Sequence, residues 1–295
     1  MSYEIYSDES GNGENRFRSV GTLSGKTVDI ESLKNSLSQI ITSYKLGHCE
    51  YKDLDSCSRV DCAKEIFDIT LNFVLSGLVK VIVLTWDTHD SRHKINDRDD
   101  NKNLGRMYYN IFKQTSKIWE QSSLDYSFYP DENSALDFIE IIKYIENTDI
   151  SKQQNQAKNI FGEKYLKKFP KIKNHKQISS SKDPIIQIVD ILTGISRLNH
   201  EEFDLFINWA EDEKQKTNIH LSFFSERTNF QISKRKSFKY EIIKYFNEKF
   251  KKNKMQISLN THKCFFSNKP SCGLWFWTYK SQGDYDKAPI RVFQK

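Results

Sequence analysis

The chain has 295 residues, of which 37% are hydrophobic and 28% are charged, and its formal net charge is +6. These values predict a soluble globular protein with one large or two modest domains. The sequence contains no apolar run of about 18 residues and no zinc-finger spacing among its five cysteines, so we expect a cytoplasmic protein with no signal peptide, membrane span or zinc finger.

The N-terminal segment predicts a short strand that ends in two carboxylates. Residues 3–7 are rich in aromatic and β-branched side chains, residues 10–13 have the composition of a tight turn, and a second strand is expected over residues 17–23. Asp8 and Glu9 would therefore lie where the first strand ends, and carboxylates on such a rigid support suit Mg²⁺. The alternative interpretation is a polar hairpin tip.

Two amphipathic helices and a buried strand are expected next. Apolar residues recur with helical spacing over residues 29–45 and 58–76. Between these helices, Glu50 and Lys52 would point the same way in an extended segment and face one site, although a surface ion pair is an equal interpretation. Residues 79–86 form a nearly continuous apolar strand, which predicts helices on both sides of the sheet.

The middle of the chain repeats the pattern of the first strand. Residues 88–103 are charged and irregular and are interpreted as an exposed loop, and a helix is expected over residues 104–121. The strand that follows ends in Asp131 and Glu132 and then turns. Two strand ends with paired acids are less expected by chance than one. A further helix is predicted over residues 135–145.

The helix that begins after Asp183 gives the strongest single indication of a functional site. Asp183 and Pro184 are the residue types preferred at the N-cap and the first helical position. The helix is apolar nearly all round and is predicted to be buried, yet Asp190 lies in its middle. A buried carboxylate is costly unless it is paired or bound to metal, so we interpret Asp190 as functional. Gly194, one turn later, is expected to let the helix approach the sheet closely.

Two basic runs flank this helix in the sequence. Residues 164–182 contain seven lysines and no acid, and residues 234–254 contain nine basic residues. Such runs either attract phosphate backbones or form solvated faces. Residues 147–176 are otherwise interpreted as a flexible segment, and residues 177–181 as a short strand.

The C-terminal part is rich in aromatic residues. We expect residues 200–295 to form an α+β extension with a small core of its own, including helices over residues 201–214 and 238–250. Trp275 and Trp277 alternate and are expected to lie on one face of a strand. They would serve either core packing or stacking on bases.

These motifs resemble a widespread bacterial family, domain of unknown function 3800, for which an RNase H-like fold is expected. Its members begin with a strand ending in Asp-Glu-Ser-Gly, carry Glu-x-Lys, have a middle strand ending in Asp-Glu, and close with Ser-Lys and Gln-x-x-Asp-x-x-x-Gly. The matching segments span about residues 3–198 and are Asp8–Gly11, Glu50–Lys52, Asp131–Glu132 and Ser181–Gly194. The family usually has Ala before the last Asp, where this chain has Val189.

The resemblance implies an α/β fold, with an RNase H-like mixed sheet flanked by helices over residues 1–199 and the C-terminal extension over residues 200–295. It also implies that carboxylates from the two central strands and the last helix converge. The implied ligands of two Mg²⁺ or Mn²⁺ ions are Asp8, Glu50, Asp131 and Asp190.

The resemblance further implies that a cation assists the reaction. Lys182 or Lys52 would steady a phosphate group, and the remaining candidate site residues are Glu9, Glu132 and Gln187. The implied function is a metal-dependent nuclease acting on RNA or DNA, with defence against phage or mobile elements as a suitable role. Two alternatives stay open: a non-catalytic module that binds nucleic acid or, through the extension, a protein partner, and a phosphohydrolase acting on a nucleotide. The sequence predicts no oligomeric state.

Overall fold

The computed structural model describes residues 2–11, 14–90, 99–119, 125–133, 136–146, 172–217, 232–268 and 273–279. The strands in these ranges are β1 (Ser2–Ser10), β2 (Phe17–Lys26), β3 (Val79–Asp87), β4 (Asp125–Pro130), β5 (Ile172–His175) and β6 (Leu274–Thr278). The α-helices are α1 (Thr27–Ser43), α2 (Cys57–Leu75), α3 (Asp100–Ile118), α4 (Phe138–Glu146), α5 (Pro184–Glu201), α6 (Phe203–Thr217) and α7 (Lys234–Lys252). Two short 3-10 turns span Tyr51–Asp53 and Ser180–Lys182.

The six described strands form one mixed sheet in the order β5-β4-β1-β2-β3-β6. The first three strands are antiparallel neighbours, β4 pairs parallel with β1, and β5 pairs parallel with β4. This arrangement is that of an RNase H-like α/β fold and confirms the predicted fold class. In an ordinary RNase H-like fold the first three strands follow one another directly, whereas this chain has helices α1 and α2 inserted between β2 and β3.

Helices cover both faces of the sheet. Along β3, Val81 and Val83 face a core that includes α1, α2, α5 and α7, whereas Ile82 and Leu84 face α3 and α4. All four side chains are buried, which explains why β3 is an almost unbroken apolar run. We call these the α5 face and the α3 face of the sheet.

Several predicted boundaries are wrong. Strand β1 continues past Asp8 to Ser10, because β2 is long enough to pair with it. Helix α3 begins at Asp100, inside the predicted loop, because the Asp99 side chain accepts a hydrogen bond from the backbone N–H of Lys102 and caps the helix.

The fifth strand also differs from its prediction. It spans Ile172–His175 rather than residues 177–181, where the pairing is reduced to a bridge between Asp131 and Ile178. Residues 147–171, most of the segment interpreted as flexible, lie outside the described residues.

The residues after position 200 complete the main fold. Phe246 of α7 stacks on Phe67 of α2 with ring centroids 3.8 Å apart, and β6 pairs with β3. The expectation that this region buries a core of its own is therefore wrong for its described part, because α2 and the edge of β3 would otherwise be left uncovered. The domain boundary at residue 199 stays a prediction.

The expected tryptophan pair lies on the α3 face of β6. The rings of Trp275 and Trp277 are 5.2 Å apart and nearly parallel, and both are partly buried. In the part of the chain that the structure describes, no helix combines the length and the apolar character needed to cross a membrane.

Candidate active site

Two of the predicted carboxylates come from adjacent parallel strands. The backbone N–H of Asp131 donates to the Ser7 carbonyl at 2.9 Å, which continues the pairing of β4 with β1 and brings Asp131 beside Asp8. Two residues earlier, the rings of Tyr6 and Tyr129 are in contact on the α5 face, with centroids 5.0 Å apart. Because side chains alternate along a strand, Asp8 and Asp131 project from this same face.

Helix α5 brings Asp190 to these strands. The close approach is made possible by Gly21 of β2, because a Cβ atom there would lie 2.5 Å from Thr193 Cγ2. Gly194 was predicted to let α5 approach the sheet, and this prediction is wrong because its neighbour is not a residue of the sheet. A Cβ atom at Gly194 would lie 2.2 Å from Tyr51 Cγ, so this glycine makes room for Tyr51 and not for the sheet.

The segment that carries Glu50 crosses α5 at this point. The backbone N–H of Tyr51 donates to Asp190 Oδ2 at 2.7 Å, and Glu50 is the residue that begins the 3-10 turn. Lys52 Nζ lies 2.7 Å from Glu50 Oε2. The ion pair of the alternative interpretation is therefore present, but only its lysine lies at the surface, because the Glu50 side chain is 2% exposed and that of Lys52 is 69% exposed. Glu50 Oε1 is buried and accepts no hydrogen bond from the described residues.

Gln187, a secondary candidate from the sequence, holds two of these segments in place. Its Oε1 accepts from the backbone N–H of Cys49 at 2.9 Å, and its Nε2 donates to the Ser180 carbonyl at 2.9 Å. Ser180 in turn donates its backbone N–H to Asp131 Oδ1 at 2.7 Å. One amide side chain on α5 therefore positions both the neighbour of Glu50 and the segment that orients Asp131.

The four carboxylates influence one another electrostatically. Burial raises the pKa of Asp8 well above its usual value, and the negative charges of Asp190, Glu9 and Asp131 raise it further. Burial is also the main cause that raises the pKa of Asp190 to about 7, with Glu50 and Asp131 adding to it. For Asp131, burial raises the pKa and Glu50 contributes again. These groups therefore occupy one electrostatic neighbourhood.

The donor chemistry of this neighbourhood suits a hard divalent cation, because every candidate ligand atom is a carboxylate oxygen. Glu50 Oε1 is a buried oxygen available for such a role. Across the described ranges, however, no three Asp, Glu, His or Cys side chains are grouped so that they could hold a metal ion. The structure thus brings the predicted ligands together without a formed metal site.

The other predicted site residues have different surroundings. Glu9 points to the α3 face, where it accepts hydrogen bonds from the Tyr108 hydroxyl and from Asn133 Nδ2. Glu132 is exposed, and Lys182 is exposed at the end of the second 3-10 turn.

Sequence reasoning singled out neither Tyr51 nor Arg197 beside the carboxylates, and it predicted Lys239 only as part of the basic run 234–254. Lys239 Nζ lies 3.8 Å from the ring centroid of Tyr51, and the Arg197 guanidinium carbon lies 5.9 Å from it. The position of Arg197 carried a signal, since it follows Asp190 by two helical turns and shares its face. Tyr51 carried no signal beyond its place between Glu50 and Lys52.

No protein-family model matches the chain. Two proteins of Methanothermobacter thermautotrophicus are similar to it over nearly their whole length. "Uncharacterized protein ORF2'" is 31% identical over 297 residues, and "Uncharacterized protein ORF2" is 26% identical over 295 residues. Each match covers 97% of this chain and 97% of the relative. The chain therefore belongs to the protein family that includes ORF2' of Methanothermobacter thermautotrophicus.

Proposed function

We propose that this protein is a divalent-metal-dependent nuclease that hydrolyses phosphodiester bonds of RNA or DNA. The observation that carries the proposal is the convergence of Asp8, Glu50, Asp131 and Asp190 on the α5 face of an RNase H-like sheet. Folding alone gains nothing from gathering like charges in a buried place, because burial and mutual repulsion both cost free energy. The motif resemblance to domain of unknown function 3800 supports the same proposal.

The proposed cofactor is Mg²⁺ or Mn²⁺, held by these four residues. Burial raises the pKa of Asp8 and of Asp190, and repulsion among the carboxylates raises it further. Bound cations would offset that repulsion. When bound, such ions polarise a phosphoryl oxygen and make water a better nucleophile.

The chain itself orients the proposed ligands through backbone N–H groups. Each aspartate has one oxygen held in this way, and the donors are Glu9 N for Asp8 Oδ1, Ser180 N for Asp131 Oδ1 and Tyr51 N for Asp190 Oδ2. Asp131 also accepts a hydrogen bond from the backbone N–H of Glu132. This common pattern fixes the carboxylates before a ligand arrives, which is what a preorganised site requires.

A cleavage assay tests the proposal. We expect the wild-type protein to cut labelled single-stranded RNA or DNA with Mg²⁺ or Mn²⁺ and not with EDTA. Asp190→Asn keeps an acceptor for the Tyr51 N–H but loses the charge, so cleavage should fall at least about a hundredfold. The matched control is Asp61→Asn, which alters an exposed aspartate on α2 and should cleave like the wild type. Equal cleavage by Asp190→Asn and Asp61→Asn would refute the assignment of the site.

The second candidate function is a non-catalytic module that binds nucleic acid. The observation that favours it is the absence of a formed metal-ligand group among the described residues, together with the use of Glu50 Oε2 by Lys52. Binding of oligonucleotides without any cleavage in Mg²⁺ or Mn²⁺ would select this alternative.

A further inference from the structure

Three cationic side chains gather around Tyr51, the residue whose backbone N–H holds Asp190. Lys239 lies over the ring, and Arg197 approaches it from α5. Arg235, one turn before Lys239 on α7, donates a hydrogen bond to the carbonyl of the residue that follows Tyr51. Helices α5 and α7 thus both place positive charge beside the Tyr51 ring.

The carboxylates near this cluster are already engaged. Arg197 pairs with Glu201 at 2.6 Å. Glu202 pairs with Lys236 at 2.8 Å and also accepts from a tyrosine hydroxyl of α7. Within the described ranges, neither Lys239 nor Arg235 lies within ion-pair distance of a carboxylate. Lys239 and Arg235 therefore carry positive charge that no ion pair within the described ranges neutralises, whereas Arg197 is paired with Glu201.

The surroundings of Lys239 disfavour the charged form of its side chain. Its side chain is half-buried, and burial lowers the pKa of its ammonium group to about 8. The positive charges of Arg235 and Arg197 lower it further, whereas Asp190 and Glu202 oppose the shift. A bound anion would relieve the repulsion among these three cations.

The rest of the basic helix has a different role. Lys249, near the end of α7, pairs with Asp68 at 2.5 Å, and Glu241 pairs with Lys64 of α2. These contacts attach α7 to α2. The contacts of α7 with the segment that carries Glu50 come from Arg235 and Lys239, in the first half of the helix.

We propose that Lys239, Arg235 and Arg197 form a subsite for a phosphate group, next to the phosphate that would react at the carboxylates. This inference rests on the proposed function and deepens it. Tyr51 contacts both positions, since its backbone N–H donates to Asp190 and its ring lies under Lys239, and this proximity suits neighbouring phosphates of one strand. The substrate class is then a polynucleotide strand rather than a mononucleotide. Guanidinium and ammonium groups together provide the donors that such an anion requires.

A binding experiment in EDTA tests the subsite independently of metal and cleavage. The probes are fluorescein-labelled single strands of about six nucleotides, as RNA and as DNA, with anisotropy as the readout. The double variant Lys239→Gln/Arg235→Gln should raise the Kd about tenfold and reduce the magnitude of the log–log salt slope by about 0.7, the value of one phosphate contact. The matched control is Lys244→Gln/Lys251→Gln, which removes the same charge from exposed positions of α7 and should change neither quantity.

The outcomes separate the two proposals. A Kd that changes equally in both double variants, with folding confirmed by circular dichroism, would overturn the subsite even if the wild type cleaves its substrate. Selective weakening in Lys239→Gln/Arg235→Gln without any cleavage in Mg²⁺ would support the subsite and overturn the nuclease. In a third arm, adenosine monophosphate that competes as strongly as an unlabelled oligonucleotide would overturn the polynucleotide assignment.

Discussion

Asp8 and Glu9 are neighbours in β1, yet their carboxylates lie on opposite faces of the sheet and have different surroundings. On the α3 face, burial raises the pKa of Glu9, while hydrogen bonds from Tyr108 and Asn133 lower it. On the α5 face, Asp8 meets other acids, and only one backbone N–H offsets the effect of burial. Both pKa values are raised, but two side-chain donors oppose the shift of Glu9, whereas a single backbone donor opposes that of Asp8. A bound cation would therefore stabilise the Asp8 carboxylate more than that of Glu9.

The largest expected effect is a difference in cleavage activity between variants of Asp8 and Glu9. Asp8→Asn should reduce Mg²⁺-dependent cleavage at least about a hundredfold, because it removes a proposed ligand. Glu9→Gln should retain cleavage within about tenfold and instead lose about 1 kcal/mol of stability, since its hydrogen bonds become weaker. Cleavage rates and urea unfolding of both variants measure this contrast. Similar losses of activity in the two variants would remove the distinction between the faces.

A smaller effect is expected where α5 meets the segment that carries Glu50. Gly194→Ala would press a Cβ atom into the Tyr51 ring and should cost about 1–3 kcal/mol of stability, with a loss of cleavage as Tyr51 moves away from Asp190. Gly47→Ala is the matched control, because no atom lies within 4 Å of a Cβ built there. Thermal unfolding of the two variants measures this difference. Equal stability of Gly194→Ala and Gly47→Ala would mean that Tyr51 is not packed against α5.

The smallest expected effect is a pH dependence of the metal-free protein. Because the pKa of Asp190 is raised to about 7, the folded state binds this proton more tightly than the unfolded state, and wild-type stability falls as pH rises from about 4 to about 7. Asp190→Asn does not titrate. In EDTA it should therefore be more stable than the wild type by the order of 1 kcal/mol above about pH 7, with the advantage vanishing near pH 4.

Melting curves of both proteins across this pH range measure that difference. If the stability difference between Asp190→Asn and the wild type stayed constant with pH, the pKa of Asp190 would not be raised in the folded protein.

The sequence indicated those candidate site residues whose signal is local. Asp8 and Asp131 were predicted because each follows a recognisable strand pattern, and Asp190 because it interrupts an apolar helix. The partner of Gly194 was not predictable, since it depends on how the α1–α2 insertion returns the chain to α5. Strand β5 was misplaced because it has only four residues, none of them buried, and so lacks a clear alternation.

The sequence did not predict which lysines of the basic run 234–254 lie near the candidate site. Which of its lysines face the site depends on how α7 docks on α2, through contacts such as Phe246 with Phe67. Lys239 and Lys244 look alike in the sequence, yet one lies over Tyr51 and the other is exposed to solvent.

Thermal unfolding with Mn²⁺ tests most directly whether the crowded carboxylates of the α5 face hold divalent metal. A ligand that binds only the folded state stabilises it by about 2.7 kcal/mol at a hundredfold excess over its Kd. We predict a Tm that rises with Mn²⁺ concentration in the wild type and in Glu9→Gln, and that stays constant in Asp8→Asn. An unchanged wild-type Tm in millimolar Mn²⁺, or an equal rise in Asp8→Asn, would contradict the account.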